Sequence, residues 1–71
     1  LKRYEEAIQD YNEAIRLNPA FHQAWFARGD AKRQLGHYEE AIQDCTEAIK
    51  LNPTCHLAWS ARGEAKRALG N

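Results

Sequence analysis

Little in this sequence is long, chemically reactive or charged in one direction, and each shortage removes a class of protein. The longest uninterrupted apolar run is Ala24-Trp25-Phe26-Ala27, far below the roughly 20 residues needed to cross a bilayer, so no membrane partner is expected. No basic segment leading into an apolar one resembles a secretion signal. Ten basic and ten acidic residues sum to zero, which leaves no global field to gather nucleic acid or an anionic surface. The two cysteines, Cys45 and Cys55, form no CxxC pair. They read as free thiols of a reducing compartment, hence a cytoplasmic setting, rather than as disulfide partners or metal ligands. A chain of 71 residues can build one small domain with a modest core.

Catalytic signatures are missing as well. There is no Gly-rich phosphate loop, H-E-x-x-H or G-x-S-x-G. His22 and His56 read as solvated cap residues and His37 as a turn residue. Cys55, His56 and His22 lack a carboxylate or second thiol at ligand spacing, so no metal site is expected. Glu5-Glu6 and Glu39-Glu40 are sequence neighbours; on a helix they point about 100° apart, which suits a solvated face better than a catalytic pair. The expectation is a protein that is not an enzyme and uses no cofactor.

What the chain does have is a copy of itself. Residues 35–71 laid on 1–37 match at 25 of 37 positions. Tyr4-Glu5-Glu6-Ala7-Ile8-Gln9-Asp10 returns as Tyr38-Glu39-Glu40-Ala41-Ile42-Gln43-Asp44, and Leu17-Asn18-Pro19 returns as Leu51-Asn52-Pro53. Trp25 with Arg28-Gly29 returns as Trp59 with Arg62-Gly63. A fixed period of this size means a small supersecondary unit stacked on copies of itself, each burying a face it cannot bury alone.

The periodicity within the unit is helical, and two kinds of helix alternate. Residues 3–17 carry an apolar stripe of Tyr4, Ala7, Ile8, Tyr11, Ala14 and Ile15. Asn18-Pro19 stops it, because proline disfavours helix at the residue before it. Residues 21–35 carry Phe21, Ala24, Trp25, Ala27, Ala31 and Leu35, ended by Gly36 as a left-handed cap. Residues 38–51 and 56–69 copy the two kinds, ending at Asn52-Pro53 and Gly70. Short connections require consecutive helices to fold back antiparallel. Gly29 and Gly63 sit mid-helix, where glycine costs about 1 kcal/mol relative to alanine; both predict a neighbouring helix too close for a Cβ.

This pattern resembles the tetratricopeptide repeat, whose helix-turn-helix unit runs Trp-x2-Leu-Gly-x2-Tyr, then Ala-x3-Phe, then Pro. The chain reads Trp25-x2-Arg28-Gly29-x2-Lys32, then Ala41-x3-Cys45, then Pro53, and starts again at Trp59-x2-Arg62-Gly63-x2-Lys66. The resemblance spans the whole chain and implies an all-α fold, antiparallel helix-turn-helix repeats stacked as a right-handed α-solenoid segment of four helices. On this reading residues 1–19 are the second helix of a partial repeat, 22–55 one complete repeat, and 56–71 the first helix of a further one. Three departures stand out. Arg28 and Lys32, with Arg62 and Lys66, replace the usual leucine and tyrosine, and Cys45 replaces the phenylalanine. Long basic stems can still lie over apolar surface, and Arg28 and Arg62 are expected to reach Asp10 or Asp44. Trp25 and Trp59 are expected to be buried between helices.

The resemblance implies a protein-interaction scaffold that holds a peptide or a helix in a concave groove lined by the first-type helices. Carried over residue by residue, the groove positions are Gln23, Phe26, Asp30, Arg33 and Gln34, then Leu57, Ser60, Glu64, Arg67 and Ala68. Eight of ten acids fall on the second-type helices and six of ten bases on the first-type ones, which predicts a basic-leaning groove unless the charges pair between helices. One subfamily grips chaperone-tail carboxylates with Lys, Asn and Arg. The matching positions here hold Phe26, Asp30, Ala27, Leu57 and Ala61, so that clamp is not expected. Two other functions are open: a structural self-stacking segment, and, disfavoured by zero net charge and a single groove aromatic, a nucleic-acid-binding helical repeat. For the former, apolar end faces (Tyr4, Ala7, Ile8 and Tyr11; Trp59, Ala65 and Leu69) predict head-to-tail association, Leu69-Gly70-Asn71 of one molecule leading up to Tyr4 of the next.

Overall fold

Proline and glycine set the element boundaries. The computed structural model describes residues 3–70, which form four helices and no strand: α1 Tyr4–Leu17, α2 His22–Gln34, α3 Tyr38–Leu51 and α4 His56–Ala68. Each expected helix is present within a residue or two at either end. Asn18 and Asn52, each before a proline, leave the helix with ψ near 90° (88° and 92°). Their side-chain oxygens then accept from the backbone N–H two residues on, Ala20 at 3.2 Å and Thr54 at 3.3 Å. Gly36 and Gly70 take φ of 88° and 85°, the left-handed conformation that a Cβ penalises. After α2, Gly36 N–H bonds Arg33 O at 3.0 Å and His37 N–H bonds Lys32 O at 2.9 Å. That pair of bonds caps the orphan carbonyls of the helix end.

Each tryptophan ties its own helix to the preceding turn. Trp25 Nε1 donates to Pro19 O at 2.8 Å and Trp59 Nε1 to Pro53 O at 2.9 Å. The guanidinium of Arg28 lies 4.9 Å from the Trp25 ring centre, and that of Arg62 lies 4.7 Å from Trp59, which adds a cation–π attraction.

Sequence-adjacent helices pack on one another, and α2 also touches α4, whereas α1 and α3 do not meet. The row of helices therefore curves, with the first-type helices α2 and α4 on the inner side. The molecule is a slab of 34 × 31 × 16 Å. Among the described residues, seven of the nine buried apolar side chains are alanine: Ala24, Ala31, Ala41, Ala48, Ala58, Ala61 and Ala65. Small side chains let the helix axes approach closely, so the contact is dense but the apolar area removed from water is small. A Cβ added at Gly29 would sit 3.0 Å from Cys45 Sγ and 3.1 Å from Ala41 O, which is the close passage expected there.

Three expectations fail in the second copy. A Cβ at Gly63 would meet nothing within 4 Å, and Trp59 is 49% exposed, where burial between helices was expected. Arg62 reaches Thr46 Oγ1 at 3.1 Å and no carboxylate. All three have one cause: no helix among the described residues covers the outer face of α4. His22 differs too, since its Nε2 lies 3.0 Å from Asn52 Nδ2 in a half-buried contact rather than in solvent.

Candidate functional site

The inner face is built by register. Phe26, Asp30 and Arg33 follow at spacings of four and three along α2, so they share one side of that helix. Ser60, Glu64 and Arg67 repeat the spacing 34 residues later on α4. Where α2 and α4 meet, Phe26, Asp30, Arg33, Leu57, Ser60, Ala61 and Glu64 line a depression of about 240 Å³. A second depression of about 370 Å³ continues from it, sharing Arg33 and Glu64 and adding Gln34, Arg67, Ala68 and Tyr38. Nine of the ten groove candidates thus lie along one continuous surface. Gln23, exposed at the start of α2, lines neither depression.

Tyr38 and Ala61 were not among the groove positions. The turn after α2 is three residues long, which brings Tyr38 of α3 up beside Gln34. Turn length was the signal for it. Ala61 shares the α4 face with Leu57 one turn earlier.

Ion pairing changes the electrostatics expected of this face. Arg28 donates to both carboxylate oxygens of Asp44, at 2.8 and 2.9 Å, and its remaining arm donates to Asn12 Oδ1 at 2.7 Å. Lys32 Nζ lies 3.1 Å from the same carboxylate and 3.4 Å from Glu40. Asp44 is itself buried. Two of the bases counted toward the groove are therefore spent between α2 and α3, where a buried carboxylate needs them. Arg33 bonds Asp30 at 2.7 Å and Glu64 at 3.4 Å, and the hydrogen bond to Asp30 raises its pKa further. Of the groove candidates, only Arg67 is a charge without an ion-pair partner among the described residues. The groove is close to charge-balanced, not basic.

The apolar part of the face is better defined. Phe26 is half-buried and packs on the core cluster of Cys45, Ala48, Ile49, Ala58 and Ala61, while Leu57 beside it is 53% exposed. A rigid aromatic floor with an exposed aliphatic wall is a surface that can accept one apolar side chain. Cys45 is fully buried, and burial first, then the charges of Asp44 and Asp30, push its thiol up to about 11. Among the described residues no group of three or more His, Cys, Asp or Glu could hold a metal ion. No described helix is long and apolar enough to cross a membrane.

Comparison with known proteins agrees with the repeat geometry. No curated protein matches the chain. The tetratricopeptide repeat family model matches residues 22–55, and a second model of the same family, TPR repeat, matches residues 1–32. With two such matches and four helices in antiparallel succession, the chain belongs to the tetratricopeptide-repeat family.

Proposed function

We propose that the inner face of α2 and α4 binds an extended peptide or a helix of a protein partner, without a carboxylate clamp. Repeats of this family generally mediate protein–protein interaction and are typically non-enzymatic scaffolds. The observation that supports this particular face is the depression between Phe26 and Leu57. It offers an apolar seat, flanked by Asp30, Arg33, Ser60 and Glu64, whose polar groups can bond a peptide backbone. Arg67, further along the second depression, would meet a carboxylate of the ligand. Because the charges on this face balance, the apolar anchor supplies most of the affinity and the rim supplies orientation.

Selection of a random displayed-peptide library on the immobilised chain tests this. Enriched peptides should share an apolar anchor, and their affinity should fall about tenfold or more for Leu57→Asp, a loss of roughly 1.4 kcal/mol. Leu57 is exposed, so that variant should keep its fold. Peptides that bind Leu57→Asp as well as the parent chain would place the site elsewhere.

A further inference from the structure

The two depressions of the inner face differ in charge, although the face as a whole balances. Around the apolar seat of Phe26, Leu57 and Ala61 stand two carboxylates, Asp30 and Glu64, against one guanidinium, Arg33. The depression beyond it holds two guanidiniums, Arg33 and Arg67, against Glu64 alone. Arg33 is already engaged beside the seat. Its Nε and Nη2 both donate to Asp30 Oδ1, at 3.2 and 2.7 Å, and its Nη1 donates to Glu64 Oε1 at 3.4 Å. The Arg33 side chain is mostly covered, at 24% exposure, whereas that of Glu64 is 56% exposed. The bond to Asp30 is short and the one to Glu64 long, so Asp30 takes most of the charge of Arg33 and Glu64 keeps most of its own.

Each of these carboxylates also has an oxygen left over. Among the described residues, neither Asp30 Oδ2 nor Glu64 Oε2 has a hydrogen-bond or ion-pair partner. A ligand carboxylate entering here would have to draw Arg33 away from Asp30 and would meet two like charges. A ligand cation finds two acceptors in place and leaves the bonds of Arg33 intact. Its distance from the apolar seat follows from the helices. Asp30 is one turn beyond Phe26 and Glu64 two turns beyond Leu57, which is about 6 Å and about 10 Å along the axis.

We propose that the peptide or helix held on this face carries a lysine or arginine beside its apolar anchor, and that Glu64, backed by Asp30, selects it. This rests on the peptide-binding reading of the same face and adds the ligand's charge to it. The anchor sits between Phe26 and Leu57. The cation then falls two or three residues along an extended ligand, at about 3.3 Å per residue, or one turn along a helical one. There it meets Glu64 Oε2, with Asp30 Oδ2 to its side. Arg33 stays on Asp30 and keeps both carboxylates beside the seat. The ligand acid that Arg67 would meet lies further on, so the ligand's charges run from basic to acidic in the direction from Phe26 to Arg67. An acidic residue beside the anchor is turned away by the same two carboxylates.

The displayed-peptide selection tests this when it is run in parallel on the parent chain and on Glu64→Lys, with Glu64→Gln kept for affinity measurements. Glu64 is exposed, and matching circular dichroism will show that both variants fold. On the parent, enriched peptides should carry lysine or arginine two to four positions from the apolar anchor, well above its frequency in the starting library. A synthetic peptide of such a sequence should bind Glu64→Gln about fivefold more weakly, the upper range for an exposed ion pair, and should bind the parent more weakly as salt is added. Selection on Glu64→Lys should keep the anchor and replace the base with aspartate or glutamate. Equal affinity for the parent and Glu64→Gln overturns the inference. So do peptides that keep the anchor and lose affinity for Leu57→Asp, yet show no charge preference or an acidic one on the parent; they leave the peptide-binding reading standing. Peptides without an anchor, or indifferent to Leu57→Asp, overturn both.

Discussion

Helices α1 and α3 differ at three of 14 positions, yet α3 buries Ala41, Asp44, Cys45, Ala48 and Ile49, whereas α1 buries nothing. Helix α3 is clasped between α2 and α4; α1 touches α2 alone. The same contrast separates α2 from α4. Arg28 and Lys32 close on a buried carboxylate, while Arg62 reaches only a threonine hydroxyl. Near-identical residues are a core in one copy and a surface in the other. Burial in a stacked repeat therefore belongs to the neighbour as much as to the residue.

That comparison can be broken most sharply at the buried carboxylate. Asp44→Ala would leave Arg28 without its counter-charge and Lys32 with Glu40 alone, and should cost about 3–4 kcal/mol. Asp10→Ala, the same substitution in the open copy, should change stability by less than about 0.5 kcal/mol. Urea unfolding of the two variants at low protein concentration gives both numbers; equal losses would mean that the ion cluster does not hold α2 on α3.

Tryptophan gives the next largest difference. Trp25 packs against the core cluster, and Trp25→Ala should cost about 3 kcal/mol. Trp59 keeps its bond to Pro53 O and its stacked arginine but half its surface is wet, so Trp59→Ala should cost roughly 1 kcal/mol. Thermal melts followed by helical circular dichroism would separate them.

The glycines should differ in sign. Gly63→Ala meets nothing and should gain up to about 1 kcal/mol of helix propensity. Gly29→Ala gains the same propensity but pushes a methyl group against Ala41 O and Asp44 Cβ, both at 3.1 Å. Overpacking of this kind costs about 1–3 kcal/mol, so the two variants should be separated by about 2 kcal/mol. Stabilisation by both would show that α2 and α3 can yield to each other.

The smallest effect is chemical. At neutral pH iodoacetamide should label Cys55, which is half-buried, well before Cys45, which is fully buried. Because the folded state holds the Cys45 thiol near 11 instead of its ordinary 9.0, the unfolded chain releases this proton first. The stability that the neutral thiol contributes is complete below about pH 9 and is lost as pH rises toward about 11. Labelling of Cys45 at the rate of Cys55 would contradict its place in the core.

Much of the fold was legible without coordinates. The period, the two helix types and the Asn-Pro and Gly stops are local signals, each decided by backbone sterics within a few residues. Which side chains share the inner face of α2 and of α4 was legible in the same way, because spacing of three and four residues sets which of them lie on one side of a helix. Tyr38 escaped, since it belongs to the apolar stripe of α3 and reaches the groove only through the fold of the turn before it.

What the sequence determined by itself is therefore the repeat, its helices and the side chains that each helix turns to one side. Only the tertiary structure decided which copy of each residue lost its water: Asp44 and not Asp10, Gly29 and not Gly63, Trp25 more than Trp59. The same choice spent Arg28 and Lys32 between helices and left the groove near neutral. Helix propensity acts within a few residues, but desolvation and charge pairing depend on what a second helix brings up against the first, and two identical sequences with different neighbours meet different answers.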